Sequence, residues 1–306
     1  MAEEFYPELE ETVSIHDRDF QRHSIEQRIY CVPVDETEED RVVDQHEILY
    51  EYFEQTLFFP PVEPEDVLDC GCGPAPWAAH VARELPDCEV IGLDIFVPPL
   101  AETEGNLRLL QWDLNHPFRT SSLLPESFDL VHSRLVAPGI DGGRWVEYVS
   151  DLVKLSKQGG WVQLAEFDYI FQSDSGLREE MPALNTWVEN YRRVMEDLGR
   201  DPRIGRSLQT LLRMANLVEI QSFPRNIPIG GWPTGGQDRQ LGLRMQANVS
   251  HLLEAFALWP FTALLGIPHA DVADLIERAR QEMNNTRLRL YLTLYVAFGQ
   301  RRQRRR

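Results

Sequence analysis

Cysteine, basic residues and long apolar runs are all scarce in this 306-residue chain. The four cysteines are Cys31, Cys70, Cys72 and Cys88, and no CxxC pair occurs, which argues against zinc sites and thioredoxin-like chemistry. Free, mostly buried thiols fit a reducing compartment. No apolar run approaches the roughly 20 residues of a membrane-spanning helix, and the acidic N-terminal residues resemble no secretory signal. We therefore expect a cytoplasmic protein without a membrane partner.

Positive charge is in deficit over most of the chain. Lys and Arg number 30 against 49 Asp and Glu, so the formal net charge is −19. A body of this charge repels phosphate backbones, and no nucleic-acid partner is expected. The exception is the run at 301–306, in which five of six residues are Arg. It is typical of a solvated tail or of a nuclear-import signal, so a nuclear location stays open as the alternative.

Short apolar segments alternate with helical patterns in the middle of the chain. Strands are predicted at 66–69, 89–94, 107–110, 127–132 and 161–167, and helices at 77–85 and 145–156. This alternation is typical of βαβ units, so we expect an α/β fold with a mostly parallel sheet.

The flanking regions are less regular. Residues 1–29 are expected to be a flexible leader and 32–40 a loop, followed by an amphipathic helix from 41 that ends before Pro60. Beyond 170, helices are predicted at 179–198, 207–215, 239–258 and 270–284, and a Pro- and Gly-rich loop at 224–236. Strands at 217–222 and 288–298 should pair with each other across a helical insertion.

A glycine-rich turn follows the first of these strands. Gly71 and Gly73 allow tight turns and close approach of the backbone to a ligand, and the amides at the start of the next helix favour polar or anionic groups. Asp69, at the strand end, could hold the turn or receive an ammonium group.

The next three strands also end in polar residues. Asp94 follows Asp69 by 25 positions, close to the ~20-residue offset at which an acid meets ribose hydroxyls. Asp113 could accept from an adenine amino group, with Trp112 or Leu114 against the ring. Each Asp alone could equally be a cap or turn residue. The agreement of four strand ends, the fourth at 132–134, favours a ligand site at one sheet edge.

These segments resemble a known family. Val67-Leu68-Asp69-x-Gly71-x-Gly73, the stretch ending at Asp94, the stretch 128–134 and Lys157-Gln158-Gly159-Gly160 are similar to the ordered motifs of class I S-adenosylmethionine-dependent methyltransferases. The upstream segment from Tyr30 to His46 is similar to the pre-core segment of the fungal LaeA-like methyltransferases. The resemblance covers roughly 30–170.

The resemblance implies a Rossmann-like, doubly wound, seven-stranded sheet with an antiparallel last strand, a helical lid insertion, and S-adenosyl-L-methionine as cofactor. It implies cofactor contacts from Asp69, Gly71, Gly73, Asp94, Ile95, Trp112, Asp113, Leu114 and Ser133, with Tyr30, Arg41 and His46 closing over the methionine end. The chain departs from the family at Ala75, which stands where a third glycine is usual and narrows the approach to the cofactor.

The predicted division of the chain has four parts. Residues 1–60 form a leader and cap helix, 61–170 the cofactor-binding core, 171–300 the remaining core with a helical substrate-binding insertion, and 301–306 a basic tail.

Four residues are candidates for catalysis. His132, Arg134 and Glu166 lie at or near strand ends, and His251 could reach in from the insertion; no metal is expected. A His could remove a proton from an alcohol or phenol, whereas a carboxylate acceptor needs no base. Arg134 could orient an acidic substrate. A structural role is the alternative for each His, and an ion pair for Arg134.

The function expected is methyl transfer to an oxygen or nitrogen of a small secondary metabolite, apolar or polyketide-like. Aromatic and Met residues in 168–210 and 224–286 suit such a ligand, although a helical core or a homodimer interface would use them equally well. The alternatives are a methyltransferase-fold regulator of secondary metabolism and a cofactor-binding pericyclase or cyclase. An NAD-dependent oxidoreductase is disfavoured because the turn lacks its third glycine.

Overall fold

A computed structural model describes residues 10–97 and 105–303. Its strands are β1 (Thr12–Ile15), β2 (Arg18–Gln21), β3 (Asp66–Cys70), β4 (Glu89–Asp94), β5 (Leu107–Gln111), β6 (Phe128–Arg134), β7 (Ser156–Ser173), β8 (Val218–Pro228) and β9 (Leu290–Gln300). Its helices are α1 (Arg22–Gln27), α2 (Glu36–Tyr52), α3 (Pro76–Glu84), α4 (Trp145–Leu155), α5 (Pro182–Asp197), α6 (Leu208–Met214), α7 (Gly236–Ala255) and α8 (His269–Met283). In these ranges, none of the helices is long and apolar enough to cross a bilayer.

Seven of the strands form one mixed sheet in the order β5-β4-β3-β6-β7-β9-β8. The first five run parallel, and β9 is antiparallel to both β7 and β8. This confirms the predicted seven-stranded sheet with its antiparallel last strand, and the pairing of two strands across the insertion. Because β4 and β6 flank β3 on opposite sides, the crevice at the carboxyl ends of these strands is the switch point at which open α/β sheets bind ligands.

The core lies on both faces of this sheet and continues into the insertion. One apolar cluster joins α3 to β3 and β4, a second joins α4 and α6 to β6, and a third joins α5, α7 and α8 to β7 and β9. In the third cluster Trp187, Tyr191, Met245 and Phe261 are buried. These four residues therefore belong to a helical core, the alternative to a ligand-binding role, since each is enclosed by neighbouring side chains.

The prediction of a flexible leader is wrong for residues 10–29. They form the antiparallel hairpin β1–β2 and the short helix α1. Phe20 is fully buried, and the Nε2 atom of Gln21 donates to the carbonyl oxygen of Ile95 at 2.8 Å. One buried aromatic and a few polar contacts hold this segment, which is why it shows no apolar periodicity.

The start of α2 also differs from the prediction. The helix begins at Glu36 rather than at Arg41, because Asp35 caps it by accepting from the backbone N–H of Glu38 at 3.1 Å. The acids of this stretch occupy the first helical turn, where negative charge stabilises the helix end. The acidic run that indicated a loop is therefore the first turn of a helix.

Two strands extend beyond their predicted limits. β7 covers 18 residues rather than seven, because β9 pairs with it as far as Ser173. β8 continues to Pro228, so the predicted loop at 224–236 begins too early. β8 lies at the sheet edge. Pro224 and Pro228 are tolerated there because the open side of an edge strand has no neighbouring strand to which a backbone N–H could donate.

The start of the basic run belongs to the fold rather than to a solvated tail. Arg301 donates through Nη1 to the carbonyl oxygens of Val153 and Ser156, and its Nη2 pairs with Glu126 at 2.6 Å. Arg302 is exposed, and the arginines at 304–306 lie outside the described residues, so the import signal remains a prediction.

Candidate functional site

A single cavity collects the carboxyl ends of β3, β4, β5 and β6. Of the residues predicted to bind or react, twelve line it: Tyr30, Arg41, Asp69, Gly71, Gly73, Asp94, Ile95, Trp112, Asp113, Leu114, His132 and Arg134. Parallel strands end at the same sheet edge, so residues separated by 65 positions in the chain, such as Asp69 and Arg134, meet there.

The glycine turn uses its two glycines differently. Gly71 has φ +76°, and a Cβ built on it would lie 2.2 Å from Cγ1 of Val136. Gly73 has φ +56°, and a Cβ there would meet nothing within 4 Å. Gly71 is therefore needed for packing. Gly73 leaves open space at the cavity wall, as the close approach of a cofactor to the backbone requires.

The carboxylate of Asp94 fastens the turn and keeps acceptor capacity. Oδ2 accepts from the backbone N–H of Gly73 at 2.8 Å, and Oδ1 accepts from that of Phe96 at 3.1 Å. Burial raises its pKa to about 6. A carboxylate has about four lone-pair sites, so the group retains at least one site for a further donor.

The end of β5 supplies a second acid and an unused donor. Oδ1 of Asp113 accepts from the backbone N–H and the side-chain amide of Asn115, at 2.9 and 3.0 Å. The indole N–H of Trp112 is buried and has no hydrogen-bond partner among the described residues. Buried donors usually have partners, so this wall suits a ligand that carries both donors and acceptors, as an adenosyl group does.

A buried acid–imidazole pair lies beside the glycine turn. Nδ1 of His132 is 2.8 Å from Oδ1 of Asp69, and the His132 ring stacks on Trp77 at 3.8 Å between centroids. The carboxylate fixes the proton on Nδ1, which leaves Nε2 as the basic nitrogen. Burial lowers the pKa of His132, and the hydrogen bond to Asp69 partly opposes that shift. This is the arrangement of a general base with its orienting acid.

Arg134 is held by a pair of histidines. Its Nη2 lies 3.3 Å from Nδ1 of His46, and Nε2 of His46 lies 2.9 Å from Nδ1 of His80. A guanidinium only donates, so Nδ1 of His46 accepts and its Nε2–H donates to His80. Burial lowers the pKa of His46 to about 2 and that of Arg134 to about 10. With Glu47 the two imidazoles have metal-ligand spacing, but a metal on Nε2 would require a proton on Nδ1, facing the Arg134 donor.

Four predicted site residues do not line this cavity. His46 lies beyond Arg134, on a smaller cavity. Ser133 is bonded to the hydroxyl of Tyr148 at 2.8 Å, because side chains alternate along β6 and it faces away from His132 and Arg134. The structure thus places the side chain of Ser133 outside the cavity.

Glu166 and His251, predicted as catalytic, also lie outside the lining of this cavity. Glu166 is buried and accepts from the backbone N–H groups of Val136 and Ala137, at 2.9 and 3.3 Å, so it supports the loop after β6. Burial raises its pKa to about 8. His251 is exposed on α7, because the buried side of that helix is taken by its apolar residues.

Several cavity residues were not among the predicted site residues, although Phe256 belongs to the aromatic segments expected to form the substrate pocket. Glu38, Gln45 and Trp77 lie on helices beside the turn, and Tyr169 and Phe256 come from β7 and the end of α7. The amide nitrogen of Gln45 is buried without a partner in the described chain. The available signals were the i, i+3 spacing of Glu38 with Arg41 and the aromatic content of the later segments.

A polar network closes the cavity on the side of α2. The guanidinium of Arg41 binds Glu38 through Nε and Nη2, at 2.8 and 2.7 Å, and Asn248 through Nη1 at 3.2 Å. Its donors thus join α2 to α7. Arg41 therefore forms the wall, with few donors left for a ligand.

The N-terminal segment covers the cavity. The guanidinium of Arg200 donates to the backbone carbonyl oxygens of Arg28, Ile29 and Pro138. This places Tyr30 in the cavity wall and ties it to the loop after β6. Sequence separation hides the contact, since Arg200 lies 172 positions from Arg28.

Comparisons with known proteins agree with this geometry. A family model described as a methyltransferase domain matches residues 45–221. The secondary metabolism regulator laeA of Monascus pilosus is 25% identical over 96% of this chain and 78% of its own, and the regulator LAE1 of Cochliobolus heterostrophus is 25% identical over 92% of each. These relatives agree with the LaeA-like resemblance found in the sequence.

Among solved structures, phosphoethanolamine N-methyltransferase 2 of Haemonchus contortus has a TM-score of 0.48 at 15% identity, over 84% of this chain and 52% of its own. A putative methyltransferase from an antibiotic biosynthesis pathway of Anabaena variabilis also has a TM-score of 0.48, at 14% identity over 81% of this chain and 95% of its own.

Proposed function

The chain belongs to the methyltransferase-domain family, and from this premise we propose that it transfers the methyl group of S-adenosylmethionine to an oxygen or nitrogen of a small molecule. The observation that carries the proposal is that one cavity contains both the glycine turn with its acids and the His132–Asp69 pair. Binding and proton removal can therefore occur side by side.

The cofactor of this family is S-adenosylmethionine, which supplies an electrophilic methyl group when bound. Asp94 would hold the ribose hydroxyls with the lone pairs that Gly73 and Phe96 leave free. Asp113 and the unpartnered indole N–H of Trp112 would face the base. The open space at Gly73 admits the cofactor against the backbone.

The chain's own residues would prepare the acceptor. Nε2 of His132 would take the proton of an acceptor hydroxyl while the oxygen forms its bond to the methyl carbon, and the electron pair of the broken bond stays on sulfur. Asp69 keeps the imidazole in the required tautomer. Tyr169 and Phe256 offer an aromatic wall against which the acceptor can be aligned, and alignment contributes several kcal/mol to such a displacement.

The test is to incubate the full chain with S-adenosylmethionine labelled in its methyl group and with extracts of candidate metabolites. We expect label in a small product, and a loss of about 10²–10⁴-fold in rate for His132→Gln if the acceptor is a hydroxyl. If no small-molecule product carries the label at saturating S-adenosylmethionine, the proposal is wrong.

A regulator of secondary metabolism is the second candidate, because the relatives that match almost the whole chain bear that name. The same incubation separates the two, since a regulator without small-molecule turnover would bind the cofactor and label no metabolite.

A further inference from the structure

The guanidinium of Arg134 is a half-buried cation that forms no ion pair with the described residues. Within residues 10–97 and 105–303 its hydrogen-bond partner is the neutral His46. The carboxylate of Asp69 raises the pKa of Arg134 from beyond ion-pair distance, and that carboxylate is already bonded to His132. Arg41 and Arg144, by contrast, are paired with Glu38 and Asp151 at 2.7 Å. A charge that has lost part of its hydration is stabilised when it is paired. Arg134 is therefore suited to an anion that a ligand supplies.

This cation is fixed in place rather than free to turn away. His46 accepts from it, and His80 in turn accepts from His46, so both imidazoles are locked in one tautomer. His80 also packs against Tyr50, with ring centroids 4.4 Å apart. A preorganised guanidinium is the group best suited to bind a carboxylate in a defined orientation.

Apolar side chains form much of the surroundings of Arg134, beside the polar groups already described. In the main cavity it lies with Leu135, Tyr169 and Phe256, and the smaller cavity that it also lines is formed mainly by aliphatic and aromatic side chains. The lining of the smaller cavity contains none of the turn glycines and neither Asp94 nor Asp113. Arg134 therefore also borders a space, shared with His132, that lies apart from the glycine turn and from the ends of β4 and β5.

We propose that the methyl acceptor is a largely apolar hydroxy acid whose carboxylate is bound by Arg134. The inference rests on the proposed function and names its substrate class. The carboxylate is a recognition group and keeps its charge, while the hydroxyl gives its proton to His132 as described above. His46 and His80 are positioning residues, since they act through Arg134.

The anchor can be tested with simple probes, decanoate and 1-decanol, titrated into the full chain with S-adenosylhomocysteine present. Decanoate is expected to bind at least tenfold more tightly than decanol, which is about 1.4 kcal/mol. Arg134→Gln should abolish this preference, and Arg213→Gln, at an exposed position of α6, should keep it. No preference in the unmodified chain, or a preference that survives in Arg134→Gln, would overturn the proposal.

A second pair of ligands distinguishes the acceptor carboxylate from that of the cofactor. S-adenosylhomocysteine carries a carboxylate, and methylthioadenosine lacks it. The ratio of their affinities should be unchanged in Arg134→Gln. A fall in that ratio would assign Arg134 to the cofactor and refute the assignment to the acceptor. If the Gln variant does not fold, Arg134→Lys can be used instead, because it keeps the positive charge but lacks the two parallel N–H donors of the guanidinium. This variant should reduce the decanoate preference without abolishing it.

The positioning role has its own readout. His46→Asn puts an amide oxygen near the place of Nδ1 and should retain the preference for decanoate, whereas His46→Leu should lose most of it. Equal loss in both variants would show a structural role only. A preference for decanoate without methyl transfer to any metabolite would refute the proposed function and support the carboxylate site at Arg134. Methyl transfer without a preference for decanoate would support the proposed function and refute that site.

Discussion

Replacement of Asp94 by Asn should weaken cofactor binding without unfolding the protein. The N–H groups of Gly73 and Phe96 take two of the roughly four lone-pair sites of the carboxylate, and the N–H of Ile95 also stabilises it, which leaves at least one site for a ribose hydroxyl. An amide has a single oxygen, so the Asp94→Asn side chain cannot hold both backbone donors and also accept from the ligand.

The size of this effect follows from the bonds at stake. A hydrogen bond to a charged group contributes about 1.5–3 kcal/mol, so the loss of one bond should lower the affinity for S-adenosylhomocysteine by about 10- to 100-fold. Burial raises the pKa of Asp94 to about 6. The carboxylate is therefore ionised above that pH, and wild-type affinity should fall as the pH is lowered from 8 to 5.

Calorimetric titration of both proteins across this pH range measures the effect. Asp87→Asn, at an exposed position between α3 and β4, is the matched control and should bind as the wild type does. The reasoning about Asp94 fails if the folded Asp94→Asn variant binds within twofold of the wild type. It fails equally if the variant keeps the full decline below pH 6.

Three further predictions concern neighbouring residues. Asp69→Asn should reduce methyl transfer to a hydroxyl acceptor by about 10²-fold or more, because the amide no longer fixes the tautomer of His132; an unchanged rate would exclude this role. Glu166 has a pKa of about 8 in the folded protein against 4.5 ordinarily, so the native state holds its proton more tightly and unfolding free energy should fall by up to about 5 kcal/mol as the pH rises from 4.5 to 8. Urea unfolding of Glu166→Gln should lack this decline, and an identical slope would contradict the assignment. Gly71→Ala should lower the unfolding free energy by about 2 kcal/mol or more, since it combines a positive φ with a steric clash, whereas Gly73→Val should abolish cofactor binding; the reverse pattern would refute the division between packing and binding.

The elements nearest the site were predictable because their signals are local. The strands at 66–69, 89–94 and 107–110 match the observed ones within one residue, since buried parallel strands are short apolar runs bounded by turn residues. The positions of Asp94 and Asp113 at strand ends follow from the same pattern.

Period-two alternation was present in the sequence but was not applied to β6. It would have placed His132 and Arg134 on one face and Ser133 on the other, as observed. Applied to the sequence alone, this rule would have placed Ser133 away from the cavity.

The contacts that give the site its chemistry could not be predicted from sequence. His46 meets His80 across 34 positions, and Asp69 meets His132 across 63. The first contact depends on how α2 packs against α3, and the second on the pairing of β3 with β6, which no local pattern specifies. The hairpin at the N-terminus was missed for a similar reason, because Arg200 fastens the segment behind it from 172 positions away.

The account rests most directly on where the cofactor binds, and a crystal structure of the full chain with S-adenosylhomocysteine would show it. We predict density for the ligand at the carboxyl ends of β3, β4 and β5, with its ribose at Asp94 and its base beside Asp113. Ligand density elsewhere on the protein, or none at saturating concentration, would contradict the account.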